Sequence, residues 1–178
     1  ARLFNETQEA LERQTATADI LKVIASSPSD VQPVFEAIAE RSNRLVQGLS
    51  TTVQSLVDDT LHIMAFTRTS PEADAALQAS FPRPLSRFPW GERIRRGEIV
   101  HISDVEVELA EFPALLEVTR LRGFRSMLFV PLLREGTVIG IISVTQVAPG
   151  RFGDHHVQLL QTFADQAVIA IGNVRLFD

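Results

Sequence analysis

The sequence predicts an α+β domain in which a mixed or antiparallel sheet is covered by helices. Two apolar, β-branched runs within residues 130–144 flank a short polar turn that contains Gly136, a pattern typical of a β-hairpin. An amphipathic segment from Asp154 to Asp178 follows and could cover one face of that hairpin. A helical pattern also begins the chain, so helices are expected at both ends of the strands.

The length of 178 residues fits one domain with extensions. We expect an N-terminal linker helix over residues 1–27, the globular domain over residues 28–173, and the start of a C-terminal linker helix over residues 174–178. A hydrophobic content of 45% is ordinary for a globular protein with a sizeable core.

The composition excludes several classes of function. The chain has no cysteine, so it can form no disulfide, thiolate nucleophile or thiolate metal site. A net charge of −5 argues against a nucleic-acid-binding surface. No apolar run reaches the roughly 18 residues that span a bilayer, and no signal-peptide pattern begins the chain. We therefore expect a cytoplasmic protein that does not contact membranes.

Periodicity and stop signals place the remaining elements. The predicted helices are Arg2–Ala25, Val31–Gln47, Glu72–Ala79, Gly91–Arg96, Leu109–Arg122, which Pro113 could break, and a last helix that Asp154 caps. The predicted strands are Thr51–Val57, Leu61–Thr67, Ile99–Ile102, Ser126–Leu133 and Val138–Val147. Ser26–Asp30 should end the first helix and Gly48 the second, whereas the three prolines of Phe81–Pro89 predict an irregular loop.

The terminal helices predict an interaction beyond the sheet. The N-terminal helix carries a narrow apolar stripe, as in a coiled-coil seam. The stripe of the last helix, from Phe163 to Val174, is wider than one sheet face requires, because Val168 and Ile169 fall on other sides. Its second partner is either the N-terminal helix of the same chain, in a monomer, or the same helix of a second subunit.

Several segments resemble the GAF domain family. They are Val-Pro-Leu-Leu and Val-Ile-Gly-Ile-Ile-Ser-Val in the hairpin, residues 97–105, residues 122–128, and Phe-Ala-Asp-Gln-Ala-Val-Ile-Ala-Ile at residues 163–171. The resemblance spans Val31 to Phe177 and has the character of bacterial multi-domain sensors, especially histidine kinases. It implies an antiparallel sheet of about six strands, with the terminal helices packed on one face and loops and short helices over the other.

This resemblance implies a non-catalytic sensory domain that binds an unknown small molecule in a pocket. It also implies a homodimer through the terminal helices, which relay the signal to an output domain. A ligand-free dimerisation spacer remains the alternative, with Phe81, Phe88 and Trp90 filling the pocket. An enzyme is disfavoured, because no Ser, His and Asp constellation and no metal-ligand cluster stands at a recognisable spacing.

The candidate ligand-binding residues are Phe81, Phe88, Trp90, Arg93, His101, Phe112, Phe124, Arg125 and Ser126. The aromatic side chains could wall a concave site or simply plug the open face of the sheet. The arginines of the same segment (Arg83, Arg87, Arg93, Arg95 and Arg96) could bind an anion, or could form a solvated surface balanced by the acidic residues between Glu98 and Glu111. Arg125 and Ser126 begin a strand that should face the pocket.

No cofactor is identified. Covalent attachment of a bilin, as in phytochrome-like relatives, needs a cysteine that the chain lacks. The same absence removes the redox chemistry of the family's methionine sulfoxide reductases, and the Asn-Lys-Phe-Asp-Glu motif of cyclic-nucleotide-binding members is missing. Haem or metal ligation is disfavoured, because His155 and His156 should be exposed, and His62 and His101 lack carboxylate partners.

Overall fold

The computed structural model describes residues 6–12, 14, 15, 18 and 31–175, with only the backbone described at residues 170 and 173–175. The described residues before residue 31 are all helical, in agreement with the predicted N-terminal helix. The predicted break at Ser26–Asp30 lies outside the described residues. Within the described part of the chain, no helix combines the length and the apolarity that crossing a bilayer requires.

Residues 31–175 contain six strands and six helices, together with a single turn of 3-10 helix at Leu85–Arg87. The strands are β1 (Ser50–Val57), β2 (Thr60–Phe66), β3 (Arg83–Pro84), β4 (Val100–Ile102), β5 (Ser126–Arg134) and β6 (Thr137–Gln146). The helices are α1 (Gln32–Val46), α2 (Pro71–Ala79), α3 (Gly91–Arg95), α4 (Val105–Glu108), α5 (Pro113–Arg122) and α6 (Asp154–Arg175).

The strands form one antiparallel sheet in the order β3-β2-β1-β6-β5-β4. This confirms the predicted α+β class and the predicted sheet of about six strands. The β5–β6 hairpin forms as expected around Glu135 and Gly136, whose φ angles of 51° and 81° give both turn residues the left-handed conformation.

Both faces of the sheet are buried, which explains the nearly continuous apolar sequence of β5. Leu128 and Val130 point to the face that α1 and α6 cover, where they join one core cluster. Met127 and Phe129 point to the opposite face and join a second cluster beneath α3, α4 and α5. Helix α1 and the C-terminal helix α6 therefore occupy one face and the short helices the other, in agreement with the predicted layers.

The structure differs from the sequence prediction in three places. The end of α1 adopts its left-handed conformation at Gln47, with a φ of 52°, rather than at Gly48. The helix predicted over Leu109–Arg122 begins only at Pro113, as α5, and the short helix α4, which Asp104 caps, precedes Leu109. The segment predicted as an irregular loop contains the edge strand β3, which is tolerated at Pro84 because an edge strand leaves one side unpaired.

The N-terminal helical residues contact the beginning of α6. His155 Nδ1 lies 3.4 Å from Glu9 Oε1, and His155 Nε2 lies 3.6 Å from Glu12 Oε2. His155 and His156 are half-buried, so the prediction that they are exposed was wrong. The first and last helical segments of one chain therefore meet near Asp154, the first residue of α6.

Candidate functional site

A small cavity of about 50 Å³ lies on the face of the sheet opposite α1 and α6. Its lining residues are Leu77, Ser80, Arg83, Phe88, Trp90, Leu109, Leu115, Val118, Thr119, Arg122, Phe124 and Met127. They come from α2, the β3 region, α5 and the start of β5. The wall is mainly apolar, with a few polar groups, as is typical of small-molecule sites.

An aromatic cluster covers this cavity. Its segment, residues 81–90, is called the roof segment. The ring centroid of Trp90 lies 5.6 Å from that of Phe88 and 5.5 Å from that of Phe129, and both ring pairs are tilted. Trp90 is only 6% exposed. The indole is thus clamped between the roof loop and strand β5.

The turn between β1 and β2 anchors the roof segment. Asp59 accepts hydrogen bonds from Ser86 Oγ at 2.6 Å and from the Ser86 amide at 3.2 Å, and it also pairs with Arg95. The hydrogen bond from Ser86 is the main cause of the lowered pKa of the Asp59 carboxyl group, so the carboxylate form is favoured. The roof is therefore tied to the sheet edge rather than left as a free loop.

Arg83 enters the cavity from β3. Its guanidinium carbon lies 3.9 Å from the Phe88 ring centroid and 4.6 Å from that of Phe81. Burial, together with the nearby charge of Arg122, lowers the pKa of Arg83 to about 9. The side chain therefore remains protonated at neutral pH, although it is largely removed from water.

Arg122 enters the same cavity from the last turn of α5. Its guanidinium carbon lies 5.0 Å from the Phe124 ring centroid, and Nη2 donates a hydrogen bond to Ser50 Oγ at 3.2 Å. Burial lowers the pKa of Arg122 to about 10, and the charge of Asp74 opposes this shift. Among the described residues, neither Arg83 nor Arg122 forms an ion pair with a carboxylate.

The unmatched polar atoms of the cavity wall are hydrogen-bond donors. Arg83 Nε and Trp90 Nε1 are both buried and have no hydrogen-bond partner among the described residues. The wall hydroxyls do have partners: Ser80 donates to the Ala76 carbonyl and Thr119 to the Leu116 carbonyl. None of the described residues that line the cavity carries a carboxylate. The site therefore offers buried N–H groups and positive charge without a matching acceptor.

The structure brings together four of the predicted site residues. Phe88, Trp90 and Phe124 line the cavity, and Phe81 packs beside them against Arg83. These residues come from the roof segment and from the start of the last hairpin, as the sequence analysis expected. Whether they bind a ligand stays a prediction.

The other five predicted residues lie elsewhere. His101 points to the opposite face of the sheet, because its neighbours Val100 and Ile102 join the cavity-side cluster. Burial lowers the pKa of His101, whose Nδ1 has no partner among the described residues. The Ser126 hydroxyl donates a hydrogen bond to the Ala148 carbonyl, and the neighbouring Met127 lines the cavity instead. Phe112 is 40% exposed, just before α5.

Arg93 and Arg125 form ion pairs at the surface. Arg93 Nε lies 3.5 Å from Glu98, which also pairs with Arg96 at 2.8 Å. Arg125 donates two hydrogen bonds to Asp104, of 3.0 and 2.8 Å. Arg93 and Arg96 therefore belong to a solvated surface on which an acidic residue balances their charge. Arg83 does not belong to this surface.

Sequence reasoning missed Arg122 as a cavity residue and counted Arg83 only as one of several clustered arginines. The available signal was the position of Arg122 directly before Gly123 and Phe124, where the chain leaves α5 and enters β5. Gly123 has a φ of 84° and reverses the chain, so the last turn of α5 lies over the sheet. The described residues contain no group of three or more His, Cys, Asp or Glu side chains that could hold a metal ion.

A six-stranded antiparallel sheet with helices on both faces is the fold of solved GAF domains. The chain matches the GAF domain family over residues 30–171 and belongs to that family. Domains of this family are generally regulatory, sensory modules of signalling proteins. The resemblance described from the hairpin and the last helix is thereby confirmed.

Two solved structures illustrate the similarity in fold. A GAF domain/HD domain protein from Geobacter sulfurreducens superposes with a TM-score of 0.73 at 18% identity, covering 85% of this chain and 98% of that chain. A domain of a putative two-component sensor histidine kinase from Sinorhizobium meliloti 1021 superposes with a TM-score of 0.66 at 22% identity, covering 82% of this chain and 93% of that chain.

A similar sequence is the dual 3′,5′-cyclic-AMP and -GMP phosphodiesterase 11A of Takifugu rubripes, with 22% identity over 194 aligned positions. The alignment covers all of this chain but only 21% of that protein. The chain thus spans about a fifth of the length of this relative.

Proposed function

We propose that this chain is the sensory GAF domain of a bacterial, cytoplasmic signalling protein of the histidine kinase type, and that it is not itself catalytic. A small molecule would bind in the cavity beneath Phe88 and Trp90 and bias the domain between two states. The observation that carries the proposal is the pair of buried, unmatched N–H groups on the cavity wall. The similarity to a domain of a sensor histidine kinase supports the signalling context.

Strand β5 offers a physical route from the cavity to the C-terminal helix. Met127 lines the cavity, while its neighbour Leu128 packs in the core cluster that α6 covers. At the far end of β5, Arg134 Nη2 lies 3.1 Å from the position that a Cβ atom would take on Gly172 of α6. A shift of β5 would therefore be felt along α6, which leads towards any following domain.

The second candidate is a ligand-free spacer, and the size of the cavity favours it. A volume of about 50 Å³ is well below the roughly 300–1,000 Å³ of typical drug-sized pockets. Trp90 and Phe88 pack against each other on the cavity wall, which fits the spacer alternative. A sensory role therefore needs either a very small ligand or a roof that opens.

Dimerisation through the terminal helices is part of the proposal. Ile169 on α6 is 57% exposed and Leu11 on the N-terminal helical segment is 55% exposed, so both offer apolar surface outside the core. The contact of His155 with Glu9 and Glu12 also fits the monomeric alternative, in which these helices pair within one chain. Both arrangements leave the cavity face free.

The experiment combines ligand screening with a distance measurement. Thermal shift is first measured against a library of charged and neutral metabolites. Because the chain has no cysteine, spin labels can then be placed uniquely at Asp58→Cys, in the β1–β2 turn, and Asp165→Cys, on the exposed side of α6. We expect a compound that raises the melting temperature also to change the distance between the labels.

A matched control separates the cavity from the rest of the surface. Trp90→Phe keeps an aromatic ring in the roof but removes the indole N–H, so it should weaken binding while preserving the fold. Leu121→Ala alters a side chain of α5 that is 55% exposed, and it should leave binding unchanged. A domain that no compound stabilises, or whose label distance never changes, would favour the spacer.

A further inference from the structure

Every polar group that the cavity leaves unmatched is an N–H donor, and two guanidinium groups share the cavity. We propose that the cavity is an oxyanion site, in which Arg83 and Arg122 hold the carboxylate or phosphate group of a small ligand while the indole N–H of Trp90 donates a third hydrogen bond. This assignment rests on the proposed sensory function and specifies the chemical class of its ligand.

Charge is the first argument. Two positive groups, both half-buried, line the same cavity, and the described residues supply no carboxylate within ion-pairing distance of either. A buried charge without a partner is costly, since water no longer solvates it. Asp74 acts on Arg122 only at longer range. A bound anion would supply the missing negative charge to both guanidinium groups.

The hydrogen-bond inventory is the second argument. Arg83 packs against the rings of Phe81 and Phe88, which provide no lone pairs for its N–H groups. Arg83 Nε and Trp90 Nε1 consequently remain without acceptors inside the protein. Carboxylate and phosphate oxygens accept several hydrogen bonds at once and can bind a guanidinium group through two parallel bonds. A neutral donor ligand would leave the same atoms unmatched.

Size is the third argument. At roughly 10–15 Å³ for each enclosed water, a cavity of about 50 Å³ accommodates about three to five water-sized groups. That is the size of a carboxylate with one or two carbons, or of a phosphate group. A larger ligand would have to place its anionic group here and its remainder under a displaced roof.

The test uses acetate and inorganic phosphate as probes, with acetamide as the neutral counterpart of acetate and sodium chloride as the control for ionic strength. Binding is followed by calorimetry and by the fluorescence of Trp90, the sole tryptophan of the chain. We expect saturable binding of acetate, phosphate or both, no binding of acetamide, and no effect of chloride. Tighter binding of acetate indicates a ligand with a carboxylate group, and tighter binding of phosphate indicates a ligand with a phosphate group.

Three variants locate the binding. Arg83→Met and Arg122→Met retain apolar volume but remove one guanidinium group each, and each should weaken anion binding by about tenfold or more. Arg96→Met removes an exposed arginine that pairs with Glu98, and it should bind as the wild type does. Circular dichroism of all three establishes that they are folded. If Arg122→Met does not fold, Arg122→Lys is used in its place. This variant keeps the positive charge but cannot form two parallel hydrogen bonds with one anion.

Several results would overturn the assignment: equal binding of acetate and acetamide, unchanged anion affinity in folded Arg83→Met, or no binding of either anion at millimolar concentration. If a neutral compound from the screen binds instead, the oxyanion site is refuted while the sensory function stands. If an anion binds through both arginines but the label distance on α6 does not change, the oxyanion site is supported and the sensory relay fails.

Discussion

Gly140 of β6 lies so close to Gln54 of β1 that a Cβ atom on Gly140 would overlap the Gln54 carbonyl oxygen. The same Cβ atom would also approach Leu132 Cδ1 to 3.1 Å on the other side. Because β6 is a central strand between β1 and β5, this close approach fixes how the two halves of the sheet meet. Glycine at this position is required by the packing of the neighbouring strands, not by its backbone angles.

Gly140→Ala should therefore destabilise the domain by about 1–3 kcal/mol, the usual cost of forcing extra atoms into a packed core. Urea denaturation monitored by circular dichroism measures the free energy of unfolding. Gly153→Ala is the matched control, because nothing lies within 4 Å of a Cβ atom at that position, and its effect should stay within about 0.5 kcal/mol. Equal unfolding midpoints for the two variants would contradict this packing.

The ion pair between Asp104 and Arg125 should make stability depend on acid pH. Hydrogen bonds from Arg125 are the main cause of the lowered pKa of Asp104. A carboxyl group whose pKa is lower in the folded state stabilises the fold above its ordinary pKa, and this contribution disappears as the pH falls through the lowered value. Asp104→Asn keeps an acceptor for the Glu106 amide but loses the charge.

The melting temperature of Asp104→Asn should accordingly be lower than that of the wild type at pH 7. The difference should shrink as the pH falls below about 4. Glu117→Gln serves as a control, because this exposed carboxylate of α5 has no ion pair among the described residues. A difference between Asp104→Asn and the wild type that stays constant from neutral to acid pH would rule out this contribution of the pair.

Arg83→Met should stabilise the ligand-free domain while it impairs the proposed anion site. Replacing this half-buried charge, which has no ion pair among the described residues, with an apolar side chain of similar length removes a desolvation penalty, and the lost contacts with Phe81 and Phe88 offset part of the gain. We expect a net stabilisation on the order of 1 kcal/mol, or a melting temperature raised by about 2–4 °C. Calorimetry without added anions measures the melting temperature of both proteins.

The exposed variant Arg96→Met should leave the melting temperature nearly unchanged, because surface ion pairs contribute little. A lower melting temperature for Arg83→Met in the absence of anions would mean that the guanidinium group is satisfied within the folded chain. Such a result would remove the main reason to expect a bound anion.

The apolar surface of the terminal helices should determine the oligomeric state. If Ile169 lies in a subunit interface, Ile169→Glu should shift the protein towards monomers, because a carboxylate would be buried there without a partner. Analytical ultracentrifugation over a range of protein concentrations measures the change. Val107→Glu is the control, since Val107 is 71% exposed on the other side of the sheet. Wild-type protein that is monomeric at all concentrations would refute the dimer.

Much of the fold could be predicted from local patterns. The hairpin of β5 and β6 follows from its β-branched runs and from Gly136, and α6 follows from its apolar periodicity. The strand β3 could not be found, because a two-residue edge strand that contains Pro84 carries no periodic signal. The αL residue Gln47 was missed because glycine is the usual choice at that position, and Gly48 stands next to it.

The candidate site was predictable only in its aromatic part. Large aromatic residues are expected to be buried wherever they lie, so Phe88, Trp90 and Phe124 were found. No local pattern indicates that Arg83 and Arg122 lie together, since they are distant in the chain and arginine is usually exposed. Ser126 was misplaced by a single residue, because adjacent side chains of a strand point to opposite faces of the sheet.

The most direct test of the oxyanion site is the indole N–H resonance of Trp90 in nuclear magnetic resonance spectra. With one tryptophan in the chain, this signal is unique, and it reports on a donor that has no acceptor among the described residues. Titration with acetate or phosphate should move it downfield in a saturable way, whereas acetamide should leave it in place. An indole signal that does not move with either anion, or that moves equally with acetamide, would contradict the account.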